Sequence, residues 1–379
     1  VTSPFTAEHD DLRDAVRRFV ATELRPHAAA WEDARWFPDS VFARAGELGF
    51  LGLKYPEAYG GQGGDFLHDA VWAEELAACG SGGLAAGLGA HTGIATPPVW
   101  KFGTEEQKQR YLVPAVRGEA IAALGITEPD AGSDVAALRT TATRVDGGWT
   151  LNGTKTFITN GVRAAFVVTA VKTTGTGGHH GISFVILDTD QPGVRRSALA
   201  KLGWHASDTA EIALHDAFVP AENLLGRENE GFTLIMANFQ WERLLMSLGA
   251  VAAMQVAFDR TVAYAKQRNA FGRPLTGFQA LRHRLADLAT TIHASRCVTY
   301  DALSRFVAGE NAIAEVTMAK LLTQRASFDV IDACLQLHGG AGYMRELEIE
   351  RMARDARLGP IGGGTDEIMR EILSKTLDL

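Results

Sequence analysis

The segment Ile126 to Val135, ITEPDAGSDV, combines small residues, hydroxyls and free backbone N–H groups. A loop of that composition can close on a polar heterocycle or a phosphate, although an ordinary turn reads the same way. In NGTKTFITNG, Phe157 and Thr159 are two apart and share one face of a strand, offering an aromatic plane and a hydroxyl to a flat ring; a pair in a sheet core has the same pattern. Glu242, in FQWERLLM, is crowded by Phe239, Trp241, Leu244, Leu245 and Met246. Such apolar surroundings raise a carboxylate pKa toward the range of a general base, whereas the commoner helical acid is exposed or paired. The run GPIGGGTDEIMR, Gly359 to Arg370, sets three consecutive glycines where helix formers would be expected to continue.

Other chemistries are disfavoured. Cys79, Cys297 and Cys334 lie far apart among apolar or small neighbours, with no CxxC pair and no His at ligand spacing, and read as buried free thiols in a reducing compartment. His179 and His180 sit in KTTGTGGHHG without a carboxylate or thiol, so a solvated hairpin loop is expected and a metal site is not. There is no GxGxxG between strand and helix, no Walker A sequence, no GxSxG and no HExxH. Asn152-Gly153-Thr154 matches a glycosylation sequon but reads as a turn. A formal charge of −8 and a pI of about 5.8 argue against a nucleic-acid surface. No apolar run spans a bilayer, and the acid-bearing N-terminal stretch resembles neither a signal nor a transit peptide, so a cytoplasmic protein is expected.

The elements that position these residues fall into three zones, as expected for 379 residues sharing a large core. Helical spacing of apolar residues predicts a helical domain over 1–122, interrupted by Gly and Pro clusters such as YPEAYGGQGG. Short β-branched runs predict an antiparallel β-domain over 123–228, with tight turns at Asn152-Gly153 and Asn160-Gly161. The helical period then returns over 229–379, predicting a bundle of four or more long amphipathic helices.

The ordered set ITEPDAGSDV, NGTKTFITNG, LGWHASDTAEI, ENEGF, WERLL, QRNAFGRPL, QLHGGAGYMRE and GGGTDEIMREIL closely resembles the acyl-CoA dehydrogenase family of flavoenzymes over essentially the whole chain, most of all its long-chain and isovaleryl-type branch. That resemblance implies a mostly α fold with an N-terminal helical domain, an inserted middle β-domain and a C-terminal four-helix bundle. It implies a homotetramer, a dimer of dimers, with FAD held non-covalently between domains and across a subunit interface. By the same resemblance Ile126 and Thr127 meet the flavin pyrimidine edge, and Gly132 and Ser133 lie near the pyrophosphate and the substrate's pantetheine. Phe157 packs on the flavin face where the family often has Trp, and Thr159 bonds flavin N5. Arg268, Phe271 and Gln279, with Gln336 and Gly340, reach the FAD of the neighbouring subunit, and Thr365 and Glu367 close over the nucleotide.

The implied reaction converts an acyl-CoA to a trans-2-enoyl-CoA, with an electron-transfer flavoprotein as electron acceptor. It needs a base at Cα and a donor to the thioester oxygen. In many relatives the base is a Glu immediately before Gly-Thr, which here is Gly363; in the long-chain and isovaleryl branches a Glu stands before an Arg on the first C-terminal helix, which here is Glu242 before Arg243. Glu242 is therefore the expected base and Asp366 its local rival. The Gly363 N–H is the expected oxyanion donor, and Arg243 orders the helix or the substrate, or forms a plain ion pair. The absent side chain at 363 is expected to vacate volume for a bulkier acyl group, and a medium-to-long or branched chain is favoured. The alternatives are an acyl-CoA oxidase or flavin monooxygenase on the same fold, and a non-catalytic flavin-binding relative.

Overall fold

The computed structural model describes residues 3–175 and 178–379. The first zone carries α1 (Ala7–Phe19), α2 (Ala28–Ala34), α3 (Ser40–Glu47), α4 (Phe66–Leu76), α5 (Gly82–Ala90), α6 (Thr96–Phe102), α7 (Glu105–Gln107) and α8 (Val113–Val116). Side-chain caps set several starts: Asp65 Oδ1 accepts from the Leu67 and His68 amides, and Ser81 Oγ from Leu84. A π-helical turn, His91–Ala95, separates α5 from α6, and the Asn238 amide donates to its Ile94 carbonyl at 3.1 Å.

The second zone forms one eight-stranded sheet from β1 (Ala122–Gly125), β2 (Thr141–Val145), β3 (Gly148–Thr159), β4 (Phe166–Lys172), β5 (Ile182–Asp188), β6 (Val194–Ala198), β7 (Thr209–Pro220) and β8 (Leu224–Leu225). Its order is β6-β7-β3-β2-β4-β5-β8, and β1 pairs with β4. The long pairings are antiparallel, but β1 runs parallel to β4 and β2 touches β4 in parallel, so the sheet is mixed rather than purely antiparallel. The turns also differ from expectation. Asn160-Gly161 ends β3, but Asn152-Gly153 lies inside β3 at a register shift against β7, where Asn152 Nδ2 donates to Asp216 Oδ1 and the Asp216 backbone N–H donates to Asn152 Oδ1. The two-residue hairpin is instead Asp146-Gly147, between Val145 and its partner Gly148.

The third zone contains α9 (Gly231–Gln267), a short ribbon of β9 (Asn269–Ala270) and β10 (Arg273–Pro274), then α10 (Gln279–Val307), α11 (Ile313–His338), α12 (Ile349–Ala356) and α13 (Asp366–Thr376). Against the expected four or more long helices, three are long, at 37, 29 and 26 residues, while α12 and α13 are short and pack on α11. Of KTTGTGGHHG, Thr176 and Gly177 lie outside the described residues; His179 and His180 occupy a short 3-10 turn, with the His179 ring 5.1 Å from Phe232.

One buried cluster ties the zones together at the site. Ala95, Val99 and Leu112 from the first zone, Ile126, Phe166 and Phe184 from the second, and Leu234 and Ile235 from α9 form it, with Phe239 packed against it. The loop after β1 and the first turns of α9 are thus held in one core, about two helical turns ahead of Glu242.

Candidate active site

Glu242 projects from α9 between buried Trp241 and Leu244, and its Oε2 is buried without a hydrogen-bond partner among the described residues. Burial pushes the carboxyl up to about 7; the nearby cations of Arg243 and Lys320 pull the other way and do not overcome it. Neither makes a direct hydrogen bond to Glu242. Arg243 Nε instead donates to the Gly363 carbonyl at 3.3 Å.

Gly363 and Gly364 have φ of +64° and +96°, which explains why glycine stands here: a side chain in either place would strain the backbone. A Cβ built on Gly363 would lie 3.8 Å from Glu242 Oε1. The glycine and the glutamate, 121 positions apart in sequence, therefore address one point in space. The same Cβ would lie 2.5 Å from Met246 Sδ. The volume expected to be vacated beside Gly363 is consequently occupied by the thioether, one helical turn after Glu242 on the same face. The Gly363 N–H makes no hydrogen bond among the described residues, and Asp366 N donates past it to the Pro360 carbonyl at 3.1 Å.

Asp366, the rival carboxylate, is buried and faces elsewhere. Its Oδ2 accepts from Arg325 Nη2 at 2.7 Å and Nε at 3.2 Å. Thr365 is the N-cap of α13, its hydroxyl accepting from the Ile368 amide at 3.3 Å, and Glu367 is exposed beside Arg370.

A second group lies on the β-domain. Ile126 is buried in the shared core, and the Thr127 carbonyl accepts from the Thr156 amide at 2.9 Å, binding the loop to β3. Glu128 and Ala131 exchange backbone bonds, which leaves Gly132 and Ser133 displayed at the exposed tip. Between Lys155 and Ile158 the register of β3 shifts; Phe157 takes φ of +61° and its ring is 67% exposed, while Ile158 is buried and Thr159 half-buried. Phe157 and Thr159 therefore flank a bulge rather than lying on a regular strand face. A large aromatic ring set out in this way, beside a hydroxyl and a loop with free amides, fits a planar heterocycle carrying a phosphate tail.

Composition did not mark what holds this loop. Lys155 Nζ, almost wholly buried, donates to the Ile126 carbonyl at 3.1 Å and to Glu128 Oε1 at 2.7 Å. Burial pushes Glu128 up, but Lys155 and the amides of Thr140 and Arg139 outweigh it and hold the carboxyl below its usual range. The only sequence signal was a lysine in phase with Phe157 and Thr159 on a strand otherwise rich in polar residues.

A third group is remote. Arg268 directly follows α9, Phe271 tips the β9–β10 ribbon with its ring 96% exposed, and Gln279 opens α10. Exposed Gln336 and Gly340 lie at the end of α11, which Tyr264 joins to the end of α9 by donating to the His338 carbonyl at 3.2 Å. At the rise of an α-helix, Arg268 stands about 39 Å along α9 from Glu242, too far to share one cofactor site within a single chain.

Three family descriptions match successive parts of the chain: the acyl-CoA dehydrogenase N-terminal domain over residues 6–119, the middle domain over 123–217 and the C-terminal domain over 229–377. The chain is 39% identical to a probable acyl-CoA dehydrogenase, YngJ, of Bacillus subtilis over 98% of both chains. It is 38% identical to the long-chain specific acyl-CoA dehydrogenase of Mus musculus mitochondria, over 98% of this chain and 87% of that one. The crystal structure of an acyl-CoA dehydrogenase from Geobacillus kaustophilus superimposes with a TM-score of 0.97 at 42% identity, covering all of both chains.

Proposed function

Since the chain belongs to the acyl-CoA dehydrogenase family and catalyses FAD-dependent dehydrogenation of an acyl-CoA thioester, we propose that Glu242 is the base that takes the α-proton. The observation that carries this reading is the bare Oε2 of a carboxyl raised to about 7, with its other oxygen 3.8 Å from where a side chain on Gly363 would begin. A base with a pKa near the working pH is ionised enough to act and basic enough to abstract the proton. The unpartnered Gly363 N–H donates to the thioester oxygen as enolate charge develops. Arg243 steadies the glycine segment that carries this amide by donating to the Gly363 carbonyl.

FAD, when bound, would supply the acceptor for the β-hydride. Ile126 and Thr127 would line its pyrimidine edge, Phe157 would cover the ring, Thr159 would bond N5, and Gly132 and Ser133 would serve the pyrophosphate and the pantetheine. Arg268, Phe271, Gln279, Gln336 and Gly340 would serve the FAD of a second copy, and Thr365 and Glu367 would border the nucleotide. The separation of about 39 Å along α9 supports a cofactor shared by two chains, and the family resemblance extends that pairing to a homotetramer. An electron-transfer flavoprotein is the proposed electron acceptor; oxygen uptake without added acceptor would favour an oxidase instead. Free Cys79, Cys297 and Cys334 fit the reducing cytoplasm, and among the described residues no helix is long and apolar enough to cross a membrane.

Likeness to the long-chain enzyme supports a medium-to-long acyl chain, whereas Met246 beside Gly363 removes one argument for a branched one. The test is anaerobic bleaching of the oxidised flavin by straight and branched acyl-CoAs of graded length, with wild type and Glu242→Gln. The variant should bind the best substrate yet lose bleaching by at least about 100-fold, within the range of positioned acid–base groups. Bleaching at the wild-type rate would send the search for the base elsewhere.

A further inference from the structure

Lys320, on α11, is fully buried, yet among the described residues no carboxylate bonds to it directly. Its ammonium donates to the carbonyls of Gly359, at 3.1 Å, and Gly364, the two ends of the glycine segment. An apolar side chain would fill that space without the cost of a buried charge, so its retention calls for another account. Together with Arg243 on the Gly363 carbonyl, Lys320 accounts for the acceptors on either side of the Gly364 backbone, while the Gly363 N–H is left without a partner. Glycines at positive φ have much backbone freedom to lose, and two cations on successive carbonyls fix their peptide planes.

Resting on the reading of Glu242 as base, we infer that Lys320 is a positioning residue for the reaction: it clamps the loop that presents the Gly363 amide and supplies positive charge beside the Glu242 carboxylate.

The charged groups around it come from two other helices: Glu242 and Arg243 from α9, Asp366 and Glu367 from α13. Burial pulls Lys320 down to about 8; Asp366, Glu242 and Glu367 favour the ammonium and Arg243 opposes it. Asp366 is already bound by Arg325 and Glu367 is exposed, 3.6 Å from Arg370, which leaves Glu242 as the buried carboxylate without a hydrogen-bonded cation among the described residues. Lys320 lowers the Glu242 pKa, so loss of its charge raises that pKa and moves the acidic limb of the reaction to higher pH. In the wild type, deprotonation of Lys320 near 8 adds an alkaline decline.

The experiment compares FAD-loaded wild type with Lys320→Arg, Lys320→Gln and Lys320→Met. Each is examined for anaerobic flavin bleaching by acyl-CoA across pH and for the absorption shift of a bound chromophoric 2-enoyl-CoA, which reports polarisation of the thioester carbonyl. Gln keeps donors without charge: its acidic limb should move up by about half a unit or more and its alkaline limb disappear, with the absorption shift kept. Met should lose the absorption shift as well, and about tenfold in rate at neutral pH, while Arg, which stays charged, should keep the acidic limb and the absorption shift but lose the alkaline decline. Rates that fall only with lost FAD, with limbs and absorption shift per bound flavin unchanged, would overturn the inference. So would a Gln variant with the wild-type profile, even if Met did not fold. Failure of the underlying reading is distinct: it would appear as wild type unbleached by every acyl-CoA, or as Glu242→Gln bleaching normally.

Discussion

A carboxylate with one oxygen bare in an apolar wall is costly to ionise, and Glu242 is held that way with cations near it but none in hydrogen-bond contact. Its pH behaviour follows from the sign of the shift. The folded pKa of about 7 exceeds the ordinary 4.5, so the folded protein holds a proton there that the unfolded chain would release; stability from this group is present below 4.5 and is lost as pH rises to about 7, while the catalytically competent anion appears over the upper part of that range. Flavin bleaching in single turnover should therefore rise with pH through about 7, and a profile already flat at pH 5.5 would contradict the burial of this group. At the partner position, Gly363→Ala adds a side chain at φ of +64° whose Cβ meets Met246 Sδ at 2.5 Å. It should cost about 1–2 kcal/mol in urea unfolding and slow bleaching by turning the amide away from the thioester. An alanine variant equal to wild type in both would mean that the loop does not need its glycine conformation.

Between elements, the strongest tie near the proposed flavin face is the Lys155–Glu128 pair, which closes the loop after β1 onto β3. Lys155→Met leaves Glu128 buried without its cation, and breaking such a pair costs about 3–5 kcal/mol. The melting temperature should drop and FAD should wash out on gel filtration, with Glu128→Gln milder because an amide can still bond to its neighbours; a Lys155→Met protein retaining tight FAD would show that the loop is held by its backbone alone. This tie also marks the limit of what the sequence reveals. The order of helical, β and helical zones was legible from periodicity; the apolar crowding of Glu242 was legible from contiguous neighbours on one helix, while its candidacy as base came from the family resemblance. Lys155 and Lys320 were not, since lysine is ordinarily exposed and their burial depends on partners 27 and 39 to 44 positions away. The choice between Asn152-Gly153 and Asp146-Gly147 as the hairpin was equally hidden: both dipeptides favour tight turns, and only pairing with β7 makes the former a bulge. Residue 363 was readable as a missing carboxylate, but Met246 filling its place required the approach of α9 to the glycine segment.

For the whole molecule, the length of α9 sets the outstanding problem. Glu242 and Arg268 stand about 39 Å apart along one rigid helix, so an arrangement in which both serve the same flavin requires two chains. The exposed rings of Phe271 and Phe157 are then halves of one site, presented by different copies. Complementation tests this without a structure of the assembly. Glu242→Gln spoils the base end of a chain and leaves its Arg268 end intact; Arg268→Ala does the reverse. Within a mixed pair, one cofactor site receives both defects and the other receives none. Random pairing after co-expression makes half the pairs mixed, so about a quarter of all sites should regain the wild-type bleaching rate although each parent alone is impaired. If the two ends served separate functions within one chain, co-expression would give no more than the sum of the two parents, and the shared-site arrangement would have to be abandoned.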